Sequence, residues 1–583
     1  MKKQRIGAWL LAVLMLLGSA AGCTGGQDSK AESSKEDSSA AESSKAEESS
    51  AEADSIFNAP GELPIVKEPV TLSIFAPSNG EYSWAENTET LELEDKTGIH
   101  LDWSIASSSD DVYDKFSVMF ASHTMTDIML VGVGSRYDKA NEALFGAQGL
   151  VLPLNEYLDT VSVGYKAAFE ELDGMREFIT TPDGYIYSLP NVDGSLHVQY
   201  MMKLWINTTW LENVGMEMPK TTDEFLAVMR AFKEQDANGN GDATDEIPLS
   251  TVVSTVGGGA QIDGFLMAPF QLTPNGDKLY VDNGVVTYAP VQDGYKEGLK
   301  YLAQMYSEGL INPESFTQDL SNQVNVNEAG EQARIGAFLG MRPGFGCDLA
   351  SIPNSKKWEQ YQSLAPLTGP DGQCIAAWNP YLMYQTGMTF ISSTCSNPEA
   401  AFRFIDYLAT EEGSMRSAIG IEGVHWRKAE PGELDMDGEQ AAYTLLNADS
   451  TNQTWTQLCG LVRTPKFVTS VTTNQNPYAE GVAPLTGRQI VLYRASKEHE
   501  KVRQSLESVL PDLYMSEADA EEMSLIKATL TNTQNSALVE FITGSKDIET
   551  GWESYKNDLE NQGLSRYLEL LQKAYDASAF AKK

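Results

Sequence analysis

Between Pro69 and Gly134 the chain alternates short apolar runs with helical stretches, and that alternation leaves few folds open. Pro69-Val-Thr-Leu-Ser-Ile-Phe75 reads as a strand, closed by the turn chemistry of Ala76-Pro77-Ser78-Asn79-Gly80. An acidic helical stretch from Asn87 to Thr97 precedes a second strand, Gly98-Ile-His-Leu-Asp-Trp-Ser104. A helix around Val112 to Ala121 then leads to a third, Thr126-Asp-Ile-Met-Leu-Val131, which ends in Gly132-Val-Gly134. Strand, helix, strand, helix, strand is the pattern of a parallel α/β sheet. Open sheets of that kind bind ligands beyond the carboxyl ends of their strands, here the loops Pro77 to Trp84 and Gly132 to Tyr137.

Ahead of this pattern stand Lys2, Lys3 and Arg5, an apolar run from Ile6 to Leu17, and small residues from Gly18 to Gly22. The run falls short of the roughly 20 apolar residues of a membrane span, so residues 1–22 are expected to be a cleaved signal peptide. Ala20-Ala21-Gly22-Cys23 resembles a bacterial lipobox, with Ala20 where Leu is more usual, which makes Cys23 the expected lipidation site. From Thr24 to Ser55 the chain is almost entirely Ser, Ala, Glu, Lys, Asp and Gly and cannot bury enough apolar area to offset its ordering entropy. Residues 23–57 are therefore expected to be a lipidated, disordered tether, its ends on the order of 30 Å apart as a flexible coil. The globular part is placed at the cell surface, on the outer face of a bacterial cytoplasmic membrane.

The rest of the 583 residues exceeds what one core of about 250 to 300 residues can hold, so at least two lobes are required. A formal net charge of −40 argues against nucleic acid as a partner. Beyond Cys23 there are only Cys347, Cys374, Cys395 and Cys459, with no CxxC pair, which argues against metal clusters and thioredoxin-like redox chemistry.

Further segments carry a more specific likeness. Lys96-Thr-Gly-Ile-His-Leu-Asp-Trp103, Gly149-Leu-Val-Leu-Pro-Leu154 and Asp183-Gly-Tyr-Ile-Tyr-Ser-Leu-Pro190 are followed by Leu204-Trp-Ile-Asn207, Trp210-Leu-Glu-Asn-Val-Gly215 and Pro219-Lys-Thr-Thr-Asp-Glu-Phe225. Later come Arg334-Ile-Gly-Ala-Phe-Leu339, Pro366-Leu-Thr-Gly-Pro-Asp-Gly372 and Ser396-Asn-Pro-Glu-Ala-Ala401. In order and spacing these resemble bacterial extracellular solute-binding proteins of the maltose-binding-protein type, which serve ATP-driven (ABC) importers. The resemblance implies a two-lobed α/β fold of periplasmic-binding-protein type 2, with the ligand in the interlobe cleft and closure about a hinge. It places lobe 1 at residues 58–196 and 345–409 and lobe 2 at 197–344 and 410–583, with crossings near His197, Gly344 and Ala409.

Asp236-Ala-Asn-Gly-Asn-Gly-Asp-Ala-Thr-Asp-Glu246 repeats oxygen-bearing side chains at alternate positions, with glycines that permit tight curvature. A hard cation such as Ca2+ requires six to eight oxygens in such a loop. Asp236, Asn238 and Asn240 supply side-chain oxygens, Asp242 its carbonyl, and Asp245 and Glu246 the remaining carboxylates. Ile247 stands where an EF-hand has its twelfth-position Glu. The loop resembles the calcium loop of oligosaccharide-binding members, with one extra residue between Gly241 and Asp245. Such an ion is structural, since every position is filled by protein; the alternative is a plain polar turn.

Sugar rings pack apolar C–H faces on aromatic planes, while polar side chains answer their hydroxyls. By position, Trp84, Trp205, Trp378 and Trp426 are the candidate platforms and Arg342 and Glu422 their polar companions, whereas His425 reads as structural. HExxH, GxSxG and phosphate-cradling GxxxxGK[ST] patterns are absent, and Gly132-Val-Gly134 lacks the third glycine of a dinucleotide fingerprint. The expected function is capture of a mono- or oligosaccharide by a monomer that docks on permease subunits. A secreted carbohydrate-active enzyme, and a sensor or peptide-binding protein of the same fold, are the alternatives.

Overall fold

The computed structural model describes residues 55–582 apart from 79–82, 108, 133–136, 253–258, 275, 350–354, 447–451, 456, 457, 459, 460, 471–474, 480, 481 and 483. The signal peptide, Cys23, the tether and Cys459 thus lie outside the described residues. Among those described, no helix is long and apolar enough to cross a membrane, and Cys347, Cys374 and Cys395 are free thiols.

The strands, in chain order, are β1 (Val70–Pro77), β2 (Ile99–Ala106), β3 (Ile128–Leu130), β4 (Leu189–Asp193), β5 (Leu204–Asn207), β6 (Ile247–Ser250), β7 (Leu279–Asp282), β8 (Val285–Tyr288), β9 (Ile335–Leu339), β10 (Tyr361–Ser363), β11 (Tyr384–Ile391), β12 (Trp426–Lys428), β13 (Tyr443–Leu445) and β14 (Val462–Arg463). A six-stranded sheet of order β14-β4-β11-β3-β1-β2 organises lobe 1, and a four-stranded sheet of order β10-β5-β9-β6 organises lobe 2. β1 pairs in parallel with both β2 and β3, as the alternating pattern requires. Leu72, Ile74 and Ala76 point to one face, where they meet Leu93, while Phe75 points to the other, 5.2 Å edge-on from Phe116. In lobe 2 the helix Thr222–Glu234 starts at a capping box between Thr221 and Glu224. It buries Phe225, Val228, Met229 and Phe232 at helical spacing against Trp210 of the same core.

The lobes divide differently from the expectation. β10 still pairs with β5, so the chain stays in lobe 2 past Gly344 and returns to lobe 1 only as it enters β11. β14 adds in parallel to β4, so the segment after Ala409, with the helices Glu411–Ala418 and Pro465–Ser470, builds on lobe 1. Lobe 2 recovers the helix Pro484–Glu500, whose Leu492 and Ala495 pack on Trp205, Phe338 and Tyr361. It also takes the C-terminal helices, through Leu530, Phe541 and Trp552. For β10 and β14 a strand of three or two residues completes a sheet edge, and tertiary pairing decides which.

The crossing segments are tied to one another by backbone hydrogen bonds. Asn379 N–H donates to the Gln199 carbonyl (3.0 Å), Ala376 N–H to that of Val502 (2.9 Å), and Gln504 N–H to that of Ala376 (3.0 Å). Inside them Lys203 is fully buried, its ammonium donating to the Tyr200 carbonyl, and desolvation pulls its pKa down to about 7. In lobe 1, Asp406 on the helix Pro398–Leu408 caps the helix Gly164–Glu171. Its carboxylate accepts from the N–H groups of Val163 (2.6 Å), Gly164 (3.0 Å) and Tyr165 (3.0 Å) and from the Ser162 hydroxyl (2.6 Å). That places a carboxylate on otherwise unpaired donors at the positive end of a helix dipole.

Asp406→Ala, which strands those buried donors, is expected to lower unfolding stability by about 2–4 kcal/mol, measured in urea. For Lys203 the folded-state pKa lies below the unfolded value, so the unfolded chain binds more protons between about pH 7 and pH 10.4. Wild-type stability should therefore gain on Lys203→Met as pH rises through that window, and the variant should be the more stable near pH 7; parallel curves would refute a buried ionisable amine.

Candidate functional site

At the carboxyl edge of the lobe 1 sheet, β4 and β14 end side by side, with Arg463 in register with Asp193. Arg463 Nη2 lies 3.1 Å from Asp193 Oδ2. Just beyond, His197 sits on the one-turn helix Leu196–Gln199. Desolvation, and beside it the charges of Lys203, Arg488 and Arg463, hold its imidazole down to about 4, neutral at pH 7. From lobe 2, Arg342 follows the end of β9 and Arg488 lies in the first turns of the helix Pro484–Glu500. Burial, then the like charge of Arg342, lowers the Arg488 guanidinium below its usual range. Arg463, paired with Asp193, thus stands at this sheet edge near His197, and Arg488 acts on the same histidine.

Of the residues singled out from the sequence, Arg342 is the one whose charge acts on Arg488. Trp426 packs with Met415 and Phe467, the latter on the helix that begins just after Arg463. Its ring meets Tyr443 edge-on at 5.1 Å, its indole N–H donates to the Gly420 carbonyl (2.9 Å), and Glu422 is exposed in the same turn. His425 is buried, and its Nδ1 accepts the Ile421 N–H at 2.8 Å, a structural role.

Two expected platforms prove to be core. Trp84, 3% exposed, lies near-parallel to Trp103 at 6.4 Å and donates to the Pro77 carbonyl (2.8 Å). Trp205 is fully buried, because strand alternation turns it to the sheet face covered by the helix Pro484–Glu500, and its N–H donates to the Gly340 carbonyl at 2.8 Å. Asp193, His197, Arg463 and Arg488 carried no local sequence signal: they come from three separate segments and meet only in the fold.

Trp378 lies between the lobes, where a cavity of 510 Å3 is lined by Tyr137 and Lys139 of lobe 1, by Gln199 and Trp378 of the crossings, and by Met515 and Lys527; Tyr137 ends one of the two loops at which the sequence places the ligand. Its indole N–H donates to Gln199 Oε1 (3.0 Å), and the Arg503 guanidinium stacks 4.3 Å from its ring centre. Gln199 and His197 are two residues apart on one helical turn and so face opposite ways.

The loop from Asp236 to Glu246 joins the helix Thr222–Glu234 to β6. Gly239 (φ 73°) and Gly241 (φ 91°) take left-handed conformations that curl it. Asp236 Oδ1 and Oδ2 accept the N–H groups of Asn240 (3.0 Å) and Gly241 (2.8 Å), and Asn240 Oδ1 accepts that of Asp242 (2.7 Å). Asp242 turns its carboxylate to Thr244 (2.6 Å), leaving its carbonyl as the donor it offers a cation. Asp245 takes the amides of Asn238 (2.8 Å) and Asn240 (3.2 Å), and Arg334 stands 3.4 Å away. Glu246 Oε2 is buried without a hydrogen-bond partner, and desolvation, then the charges of Asp245 and Asp236, raises its pKa. Among the described residues no three His, Cys, Asp or Glu side chains gather into a metal cluster, so any cation here must also draw on Asn238 and Asn240. With those amide oxygens counted, the donor set fits a hard divalent ion.

The profile of the family described as "Bacterial extracellular solute-binding protein" matches residues 79–415. The fructooligosaccharide ABC transporter substrate-binding protein FusA of Streptococcus pneumoniae serotype 4 is 30% identical over 493 residues, covering 83% of this chain and 86% of that protein. The structure of Streptococcus pneumoniae FusA in complex with kestose superposes with a TM-score of 0.66 at 25% identity, over 87% of this chain and 99% of that one. An EF-hand mutant of FusA with fructo-nystose gives 0.64 at 25% identity, again over 87% and 99%. The chain belongs to the bacterial extracellular solute-binding protein family, whose members bind solutes and are not enzymes.

Proposed function

We propose that this protein captures a carbohydrate in the cleft between its lobes and delivers it to the permease of an ABC importer. The observation that carries the reading is its 30% identity, over most of both chains, to a protein named for fructooligosaccharide transport. The fold supports it, because hydrogen-bonded crossings join two lobes that share a 510 Å3 cavity, and a ligand touching both lobes stabilises the closed form over the open one. Trp426, Glu422 and Arg342 remain our ligand contacts. Trp378 is kept as a ligand platform, because it lines the cavity between the lobes together with Tyr137, Lys139 and Gln199.

The loop Asp236 to Glu246 holds Ca2+ in a structural role. The orphaned Glu246 oxygen and the curled Asp and Asn side chains support this, as does the naming of an EF-hand in a related structure. Bound there, the ion would fix the end of the helix Thr222–Glu234 to β6 while taking no part in sugar contact. The chain acts as a monomer, held outside the cell by lipid on Cys23 and free to reorient on its Ser- and Glu-rich tether.

A thermal-shift and calorimetry screen of short oligosaccharides, kestose included, tests the capture reading. A cognate sugar at about 100 times its Kd should stabilise the protein by about 2.7 kcal/mol, with no product formed on long incubation. Failure of every carbohydrate beside binding of a peptide would move the substrate class and leave the fold untouched. Chelator should lower the melting temperature and Ca2+ restore it. Glu246→Gln should shrink that Ca2+-dependent increment while leaving the chelated protein's melting temperature close to wild type; an unchanged increment would remove Glu246 from the ligand set.

A further inference from the structure

We infer that Arg503, which does not itself line the cavity, is a positioning residue for the carbohydrate: stacked behind Trp378, it holds the indole plane still so that the opposite face meets the sugar ring. The inference rests on the carbohydrate reading above and says what prepares that site for its ligand.

Of the four tryptophans singled out from the sequence, Trp378 is the one that lines the cavity among the described residues. Trp84 and Trp205 are sealed in the core, and Trp426 is met edge-on by Tyr443. Trp378 is partly buried, and the two faces of its ring have different surroundings. On one of them the Arg503 guanidinium stands 4.3 Å from the ring centre. Arg503 is exposed and is not among the described residues of the cavity wall, so it covers the face turned away from the ligand. The other face is left to the cavity.

A platform for a sugar ring needs a fixed plane. The indole N–H bond to Gln199 Oε1 (3.0 Å) pins one edge of the ring, and the Trp378 backbone N–H bond to Gln504 Oε1 (3.1 Å) pins the main chain. Neither stops the ring from rocking about its χ2 torsion, whose well is broad. A planar guanidinium laid against the ring does. Arg503 is itself held by the backbone, because it pairs in parallel register with Ala376, two residues before Trp378. Ala376 N–H donates to the Val502 carbonyl (2.9 Å) and Gln504 N–H to that of Ala376 (3.0 Å), so platform and support sit on bonded segments of one joint. The ring is thus ordered before a sugar arrives, and binding loses nothing to ordering it.

The test titrates kestose, maltotriose, mannotriose and trigalacturonate into the whole protein by calorimetry and carries the tightest of them through a set of variants. Arg503→Ala should weaken its binding about two- to fivefold, the ratio to which an exposed cation–π contact converts, at an unchanged melting temperature. Arg503→Lys, which keeps a cation over the ring without the planar fork, should recover part of the loss. Trp378→Ala should weaken binding by itself, and Arg503→Ala added to it should cause no further loss, because Arg503 acts only through the indole. An arginine with a merely structural role would instead lower the melting temperature, or weaken binding by the same factor in both backgrounds. Either result, or unchanged affinity in Arg503→Ala, overturns this inference and leaves sugar capture standing. Binding of none of the four sugars removes the carbohydrate reading and this inference with it.

Discussion

Everything that moves in this molecule must turn about the place where its lobes are joined, and there the crossing segments bond to one another. The backbone bonds from Asn379 to Gln199, from Ala376 to Val502 and from Gln504 to Ala376 make the joint a small irregular sheet of its own. Lys203, buried in the joint beside His499, adds a basic group with no carboxylate to meet it. Desolvation, and next to it Lys203, keeps the His499 imidazole uncharged. Among the described residues Lys203 and His499 make no ion pair, so backbone bonds carry the core of the hinge.

How much of this could be read in the sequence depended on whether the determining contacts were local. The alternation from β1 to β3 was legible, because a strand of eight residues with a buried face writes its own periodicity. The loop from Asp236 to Glu246 was legible for the same reason: its side chains answer backbone groups two to five residues away. β10 and β14 were not, since strands of three and two residues carry no period, and the lobe boundaries drawn through them were misplaced accordingly.

The aromatic residues teach a narrower lesson. A tryptophan signals a large area to bury and says nothing of what will cover it. At Trp84 the cover is Trp103, at Trp205 the helix Pro484–Glu500, and at Trp378 the guanidinium of Arg503. The arginines were harder still. Arg463 ends a two-residue strand, Arg342 follows a strand and Arg488 rides a helix, so no local pattern in the sequence relates one to another.

The cavity beside Trp378 bears on how the protein moves. It lies between the lobes, and its lobe 1 wall includes Lys139, whose ammonium packs 3.5 Å from the Phe178 ring centre and 4.4 Å from that of Tyr514. Burial lowers Lys139 and raises Glu142, which the Tyr514 hydroxyl reaches at 3.2 Å from the segment entering the C-terminal helices. A ligand in this cavity touches both lobes, so closure about the crossings tightens its walls on it. The contact of Tyr514 with Glu142 already ties lobe 1 to the segment entering the C-terminal helices beside the cavity. Affinity in such a molecule is thus set by what the cavity offers the ligand and by the contacts the lobes already make beside it.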